Sequence, residues 1–473
     1  MKGEGDEGEA KEGWFAEGPL RRLLGNASLL AGGRSLNGVF SVAAVALIVR
    51  SVDLETFGML FLVHAVMSAI SDVVKFQSWQ AVLRYGSLAL EQGRTMDFRR
   101  LVKLTVFLDL ASALFGILVA VIAVPLVAPT LDWSPEWVPA IQLYAFSILF
   151  KVTATPTGLL RLFDRFDLLS VSKAIGSLLR VVGAVGIFFF GGDLETLLVI
   201  WFASTVASGL WLIGHSLRAL SARGLLRGPR LGFRGLGSGH DGIRPFLLTT
   251  QANTTLSAGT RHFATIFVGL LLTPAAAGLY SIAGQVTTLL SRFARLMKPA
   301  IYPEFARLSA QNDVPAIRQL ILRSMALMVG VGAVLVIPLV VFGRSLLGFA
   351  FGPEVEAAYG LVVWLSLAAA VRMLSFPLEP ALISSGQAAV ALRIRVVMVS
   401  VFLGTLFVLL PRVGLDGSGI AGLAAALVSF AGQGMAVFGW IRNRPLDVEA
   451  TPTSTPQSGP KSSGPAPGSS TGI

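Results

Sequence analysis

The chain has 473 residues, of which 53% are apolar and only 14% charged, whereas an average soluble domain is about a quarter charged, so this composition cannot clothe a water-facing surface. Its net charge of +11 is not the footprint of nucleic-acid binding, because the basic residues gather at alternate ends of apolar runs with no aromatic stacking platform among them. The absence of cysteine excludes disulfides, thiolate nucleophiles and Cys-based metal sites.

Residues 1–25 read as a disordered acidic tail that runs into a short interfacial helix, in which Trp14, Phe15, Leu20, Arg21, Arg22 and Leu23 suit the headgroup boundary. No basic segment precedes an apolar one there, so a cleavable signal peptide is not expected and the first span acts as the insertion signal. Apolar runs of about twenty residues, enough to cross a core about 30 Å thick at 1.5 Å per residue, then follow. They lie near 29–49, 57–76, 104–128, 137–160, 168–190, 194–216, 245–270, 276–297, 323–343, 357–384, 393–411 and 416–440. Residues 26–216 form a first six-helix lobe, 217–244 a basic cytoplasmic linker and 245–440 a second six-helix lobe. Residues 441–473 form a Pro/Ser/Thr/Gly tail that cannot bury enough apolar area to order itself. The expected fold is an all-α integral membrane protein of about twelve transmembrane helices in two pseudo-twofold-related lobes.

Lys and Arg concentrate in the even-numbered loops: Arg84, Arg94, Arg99, Arg100 and Lys103 in one, Arg218, Arg223, Arg227, Arg230, Arg234 and Arg244 in another. Short basic loops stay in the cytoplasm, so both termini are expected there. A shift of about 220 residues superimposes the spans of one half on those of the other and brings Phe57-Gly58 onto Ala277-Gly278. Six spans per half give the halves the same orientation, and such duplications place a cavity near the midplane for alternating access.

A charge inside the membrane is costly unless it faces protein or water, so each marks a candidate site. Lys151, Arg180, Arg261 and Arg372 fall within spans, and Lys151 and Arg372 are nearly repeat-equivalent. Thr254, Ser257 and Arg261 share one face of span seven, and Arg34, Asn37 and Ser41 one face of span one. A cavity lined this way suits an anionic cargo, since guanidinium groups grip phosphate oxygens bidentately. Asp72, Asp109 and Glu379 are the intramembrane acids and the candidates for coupling to H⁺ or Na⁺; no other cofactor is expected. Pro156 and Pro377 stand at matching places in spans four and ten and can bend them. His64, His215, His240 and His262 are scattered and have no metal-ligand spacing.

Three segments carry a family resemblance: Arg50-Ser-Val-Asp-Leu-Glu-Thr-Phe-Gly58, Gly278-Leu-Tyr-Ser281, and Tyr302-Pro-Glu-Phe-Ala-Arg-Leu308. They resemble turns of the polysaccharide transporters, the O-antigen and exopolysaccharide repeat-unit flippases of the multidrug/oligosaccharidyl-lipid/polysaccharide exporter superfamily. The first departs from that family's Arg-x-Leu-Gly-Pro-Glu-x-Phe-Gly pattern. The resemblance implies a non-enzymatic transporter in the bacterial cytoplasmic membrane, with a cationic cavity between two lobes and ion-coupled flipping of a polyprenyl-pyrophosphate-linked oligosaccharide. It places Arg34 and Arg261 on helices where related flippases carry functional arginines. Partners would be the lipid-linked oligosaccharide and membrane lipid, with a polysaccharide polymerase and glycosyltransferases acting on the same material, and no nucleic acid. Three rivals are a multidrug/cation antiporter, which calls for acidic lining, a peptidoglycan-precursor flippase, which calls for more spans, and a membrane polymerase or glycosyltransferase, which calls for a large loop bearing paired acids.

Overall fold

The computed structural model describes residues 37–131, 133–226, 242–311 and 313–442, without the side chains of 244, 249, 252–261, 292–296, 298–300, 303, 306, 310 and 388. The two tails, Arg34 and most of the basic linker lie outside these residues. Among the described residues every regular element is a helix. The first half contains α1 (Asn37–Val49), α2 (Leu54–Val74), α3 (Ser78–Glu91), α4 (Thr95–Val127), α5 (Val138–Ala145), α6 (Ser147–Lys151), α7 (Ala154–Leu162), α8 (Phe166–Phe190) and α9 (Leu194–Ala222). The second contains α10 (Ile243–Leu271), α11 (Pro274–Ala310), α12 (Val314–Phe351), α13 (Tyr359–Leu374), α14 (Leu378–Ser384), α15 (Ala388–Val413) and α16 (Asp416–Arg442). Nine helical rods among the described residues are long and apolar enough to cross a membrane.

Each predicted span has a counterpart, with three differences. The span at 137–160 is broken into α5, α6 and α7, and that at 357–384 into α13 and α14. The basic stretch after span two is not a plain loop, since α3 occupies most of it. Helices α11 and α12 run well past the apolar runs that announced them, because a helix continues into water wherever its caps and propensities allow.

The duplication is visible in local chemistry. A shift of 220 carries Leu54, the first residue of α2, onto Pro274, the first of α11, and carries the cap Asp53 onto the cap Thr273. Asp53 Oδ1 accepts the Thr56 amide at 2.8 Å and Thr273 Oγ1 accepts the Ala276 amide at 3.1 Å, so each satisfies a donor that the first helical turn leaves free. Pro274 suits the first helical position, where no amide is needed.

The two halves meet where α2 crosses α11. Gly58 and Gly278, mates under the same shift, stand against each other: a Cβ on Gly58 would lie 1.9 Å from the Pro274 carbonyl oxygen, and one on Gly278 2.9 Å from Gly58 Cα. Only glycine lets two backbones approach so closely. Arg50, in the turn before α2, donates to the Phe349 carbonyl at the end of α12. At this end one continuous core joins the halves, with Phe57, Leu60 and Val63 of the first packed among Leu279, Ile282 and Phe351 of the second. At the opposite, Arg-rich end the cores are separate: Phe305, Ile321 and Leu382 belong to one cluster, and Val82, Phe98 and Leu159 to another. The molecule is therefore fastened at one end and divided at the other. Helix α10 straddles the division, with Ile243 and Leu247 against α3 and α4, and Ala264 and Val268 against α15 and α16.

Candidate substrate cavities

The break in the fourth span builds the first site. Helix α6 ends on Lys151, and Val152 and Thr153 leave the helical well at φ/ψ of −83°/74° and −116°/39° before α7 starts at Ala154. Pro156 then falls in the first turn of α7, where an intrahelical amide is not required. Lys151 thus sits where the free carbonyls of a helix end favour a cation. Its Nζ donates to Ser68 Oγ of α2 at 3.0 Å and lies 5.6 Å from the centroid of the Tyr144 ring, close enough for a cation–π contribution.

Arg180 enters the same cavity from α8. Its Nε donates to Ser204 Oγ at 3.0 Å and its guanidinium carbon lies 5.3 Å from the Trp201 ring centroid. The cavity holds about 320 Å³ and is also lined by His64, Asp72, Lys75 and His262. His64 Nδ1 is 2.7 Å from the Tyr144 hydroxyl. Asp72 Oδ2 meets His262 Nε2 of α10 at 3.3 Å, and three turns earlier on α10 Gln251 Nε2 donates to the Val73 carbonyl at 2.8 Å. These polar contacts tie α10 to α2 across the divided end.

The second site repeats the plan. Helix α13 ends at Leu374 and α14 begins at Leu378, with Pro377 capping it, so Arg372 occupies the last turn of a half-helix as Lys151 does. Arg372 lines a cavity of about 620 Å³ together with Asn37, Ser41, Tyr280 and Gln285. Ser41 Oγ donates to Gln285 Oε1 at 3.3 Å, and Asn37 Oδ1 accepts from Ser177 Oγ of α8 at 2.6 Å. Helix α1 thereby joins the halves as α10 does.

The single cationic hollow expected from the sequence is thus divided: Lys151 and Arg180 share one cavity and Arg372 faces another. The side chains of Thr254, Ser257 and Arg261 lie outside the described ones; their helix, α10, carries the adjacent His262 to the first cavity. The three acids separate. Asp72 lines the cavity beside Lys151. Glu379 pairs with Arg395 between α14 and α15. Asp109 is buried, its Oδ1 accepting Ser78 Oγ at the start of α3 and its Oδ2 accepting the Thr155 amide at the start of α7, both at 2.7 Å.

Asp109 accordingly holds two helix starts on one carboxylate. Removing a buried acceptor strands its donors at about 1–3 kcal/mol, so Asp109→Ala is expected to lower the thermal unfolding midpoint of the purified protein markedly. An unchanged midpoint would show that this carboxylate does not fasten the two helices.

His64 and His262, scattered in the sequence, both reach the first cavity. A signal was present, for His64, Ser68, Ser71, Asp72 and Lys75 form one polar face on an otherwise apolar helix. Among the described residues no group of three or more His, Cys, Asp or Glu is placed to hold a metal ion.

The chain is a membrane-spanning helical bundle with two duplicated halves and a broken, cation-bearing helix in each, and solved structures share this fold. The chain superimposes on an inward-facing multidrug transporter of the multidrug/oligosaccharidyl-lipid/polysaccharide exporter superfamily with a TM-score of 0.66 at 13% identity, covering 91% of this chain and 100% of the other. It superimposes on the lipid II flippase MurJ in an inward closed conformation with a TM-score of 0.60 at 10% identity, covering 87% of each. At the level of sequence, residues 23–309 match the model of the polysaccharide biosynthesis protein family, and the chain belongs to that family. It is 28% identical over 351 residues to the inner membrane protein YghQ of Escherichia coli strain K12, which covers 74% of this chain and 98% of that one.

Proposed function

We propose that the protein is a flippase that carries a polyprenyl-pyrophosphate-linked oligosaccharide across the bacterial cytoplasmic membrane for polysaccharide biosynthesis. The carrying observation is the pair of half-buried cations, Lys151 and Arg180, held in one cavity at the break of a span, with Arg372 at the matching break of the other half. Cations near the midplane stabilise phosphate groups that would otherwise be stripped of water. The polyprenyl tail stays in lipid, and the two halves rock about the Gly58–Gly278 crossing to expose the head group to either side.

With the Arg-rich end in the cytoplasm, as positive loops require, the divided end faces the cytoplasm and the fastened end the outside. That arrangement awaits a head group from the side where it is made. The cationic lining disfavours a positively charged drug as cargo, because like charges in a low-dielectric cavity repel. A peptidoglycan precursor carries the same pyrophosphate handle, and the likeness to MurJ keeps it as the second reading.

Arg372→Ala and Arg261→Ala are each expected to reduce surface polysaccharide severely at unchanged protein level, with lipid-linked glycan accumulating inside the membrane. Normal polymer in both variants would remove Arg372 and Arg261 from the mechanism. Accumulation of the peptidoglycan precursor instead would select the second reading.

A further inference from the structure

The second cavity differs in chemistry from the first. The first gathers Lys75, Lys151 and Arg180 with two histidines and Asp72. In the second, of about 620 Å³, Arg372 is the one charged residue of the lining, set among hydroxyl, amide and aromatic side chains. Sites that enclose small molecules occupy about 300–1,000 Å³.

The donors that face this space are unclaimed. Helix α13 packs against α11, α12 and α16, yet Arg372 is exposed, because it opens onto the cavity. Among the described residues its guanidinium makes no hydrogen bond or ion pair, and the Tyr280 hydroxyl makes no hydrogen bond. Gln285 accepts Ser41 through Oε1, which leaves the two hydrogens of its Nε2 to the cavity. Gly284, in the interior of α11 and on the same lining, has open space among the described residues where a Cβ would stand. A glycine there costs the helix about 1 kcal/mol relative to alanine, and no neighbour fills the room it leaves, unlike the close crossing at Gly278.

We propose that the second cavity binds an acidic sugar of the cargo, a ring bearing a carboxylate such as a uronic acid, with Arg372 on the carboxylate and Tyr280 and Gln285 on the ring hydroxyls. This rests on the flippase reading above and assigns the chemical class of the glycan. A single guanidinium matches a single carboxylate bidentately, whereas the more highly charged pyrophosphate is matched by the pair Lys151 and Arg180. Phe61 and Phe402 supply apolar surface for the C–H face of the ring. The two cavities are one helical turn apart on two helices: Phe61 lines the second and His64 the first on α2, Thr265 the second and His262 the first on α10. Three residues advance a helix by about 4.5 Å, so one lipid-linked saccharide spans both.

The test uses the full-length protein in a detergent without a sugar head group, D-glucuronate as probe and saturation-transfer NMR as readout. Saturable binding is expected, about tenfold or more tighter than that of D-glucose, which carries a hydroxymethyl group in place of the carboxylate. It should weaken about tenfold or more in Arg372→Gln and recover partly in Arg372→Lys. Gly284→Leu, which fills the cavity without removing a polar group, should block it, and Lys151→Gln/Arg180→Gln should retain it. Size-exclusion profiles matching the wild type show that each variant is folded. Equal binding of glucose and glucuronate, or glucuronate binding unchanged in Arg372→Gln, overturns the site. Inorganic pyrophosphate that displaces glucuronate from Lys151→Gln/Arg180→Gln at lower concentration than glucuronate itself binds would make this a phosphate site and overturn the sugar role. Lipid-linked glycan collected from a strain lacking the protein separates the two readings. An accumulated glycan containing a carboxylate-bearing sugar is expected. A glycan of neutral sugars only sinks the acidic-sugar site alone, whereas no accumulation sinks the flippase reading and the sugar role with it.

Discussion

Lys151→Met is expected to abolish surface polysaccharide while leaving the protein in the membrane at its normal level, and Arg180→Met to do the same. The methionine keeps most of the side-chain volume and removes the charge, so packing around Tyr144 and Ser68 is retained. A hydrogen bond to a charged group contributes about 1.5–3 kcal/mol, which corresponds to roughly a tenfold to hundredfold loss of affinity for each phosphate contact. The double variant loses both cations of the cavity and should bind no pyrophosphate there. Methionine is close to lysine in volume and needs no polar partner in the cavity, so loss of transport at a normal protein level would not be loss of fold. If Lys151→Met instead gives wild-type polymer, Lys151 serves only to anchor α6 to α2 through Ser68.

Gly58→Val forces the fastened end apart. Even the first carbon of a side chain at this position would overlap the Pro274 carbonyl, a backbone atom that no rotamer can move away. Overpacking in a dense interface costs about 1–3 kcal/mol, and that penalty is escaped whenever α2 and α11 separate. The variant should therefore populate the state open at this end. Because the chain has no cysteine, a single Ser281→Cys, at a residue that lines the second cavity just past the crossing, reports on access. A membrane-impermeant maleimide added from outside should label it several-fold faster in the Gly58→Val background than in native Gly58. Gly278→Val should act alike, being the mate of Gly58 in the same contact. Equal labelling in both backgrounds would mean that the glycine crossing is not the outer closure.

Much of the architecture was legible because the bilayer leaves few choices. A run such as 104–128 must cross as a helix, since every backbone donor and acceptor has to be satisfied within it. The repeat was legible for the same reason: apolar spacing survives after identities have drifted, and the caps Asp53 and Thr273 fulfil one need with different side chains. Breaks were less so. Pro156 and Pro377 marked the two discontinuous spans, but a proline in a helix either bends it or falls where the helix has already restarted, and only the Val152–Thr153 geometry distinguishes the two.

The candidate site divided along the same line. Lys151, Arg180 and Arg372 stood out as charges within apolar runs, and all three turn inward to cavities. Asp109 stood out equally; it lines neither of these two cavities and holds Ser78 and Thr155. A carboxylate in an apolar run shows that a partner must exist, but not whether that partner is a helix end or a travelling ion.

By itself, the sequence determined a duplicated, membrane-spanning helical bundle and the positions of the charges within its apolar runs, because hydrocarbon thickness and the cost of unpaired polar groups act on every residue locally. Only the tertiary structure decided that Gly58 meets Gly278, that His262 reaches Asp72 across the divide, and that the cations fall in two cavities. Those contacts join residues 190 or more positions apart, and the direction of a side chain around its helix is set by the neighbour it packs against, which no local pattern contains.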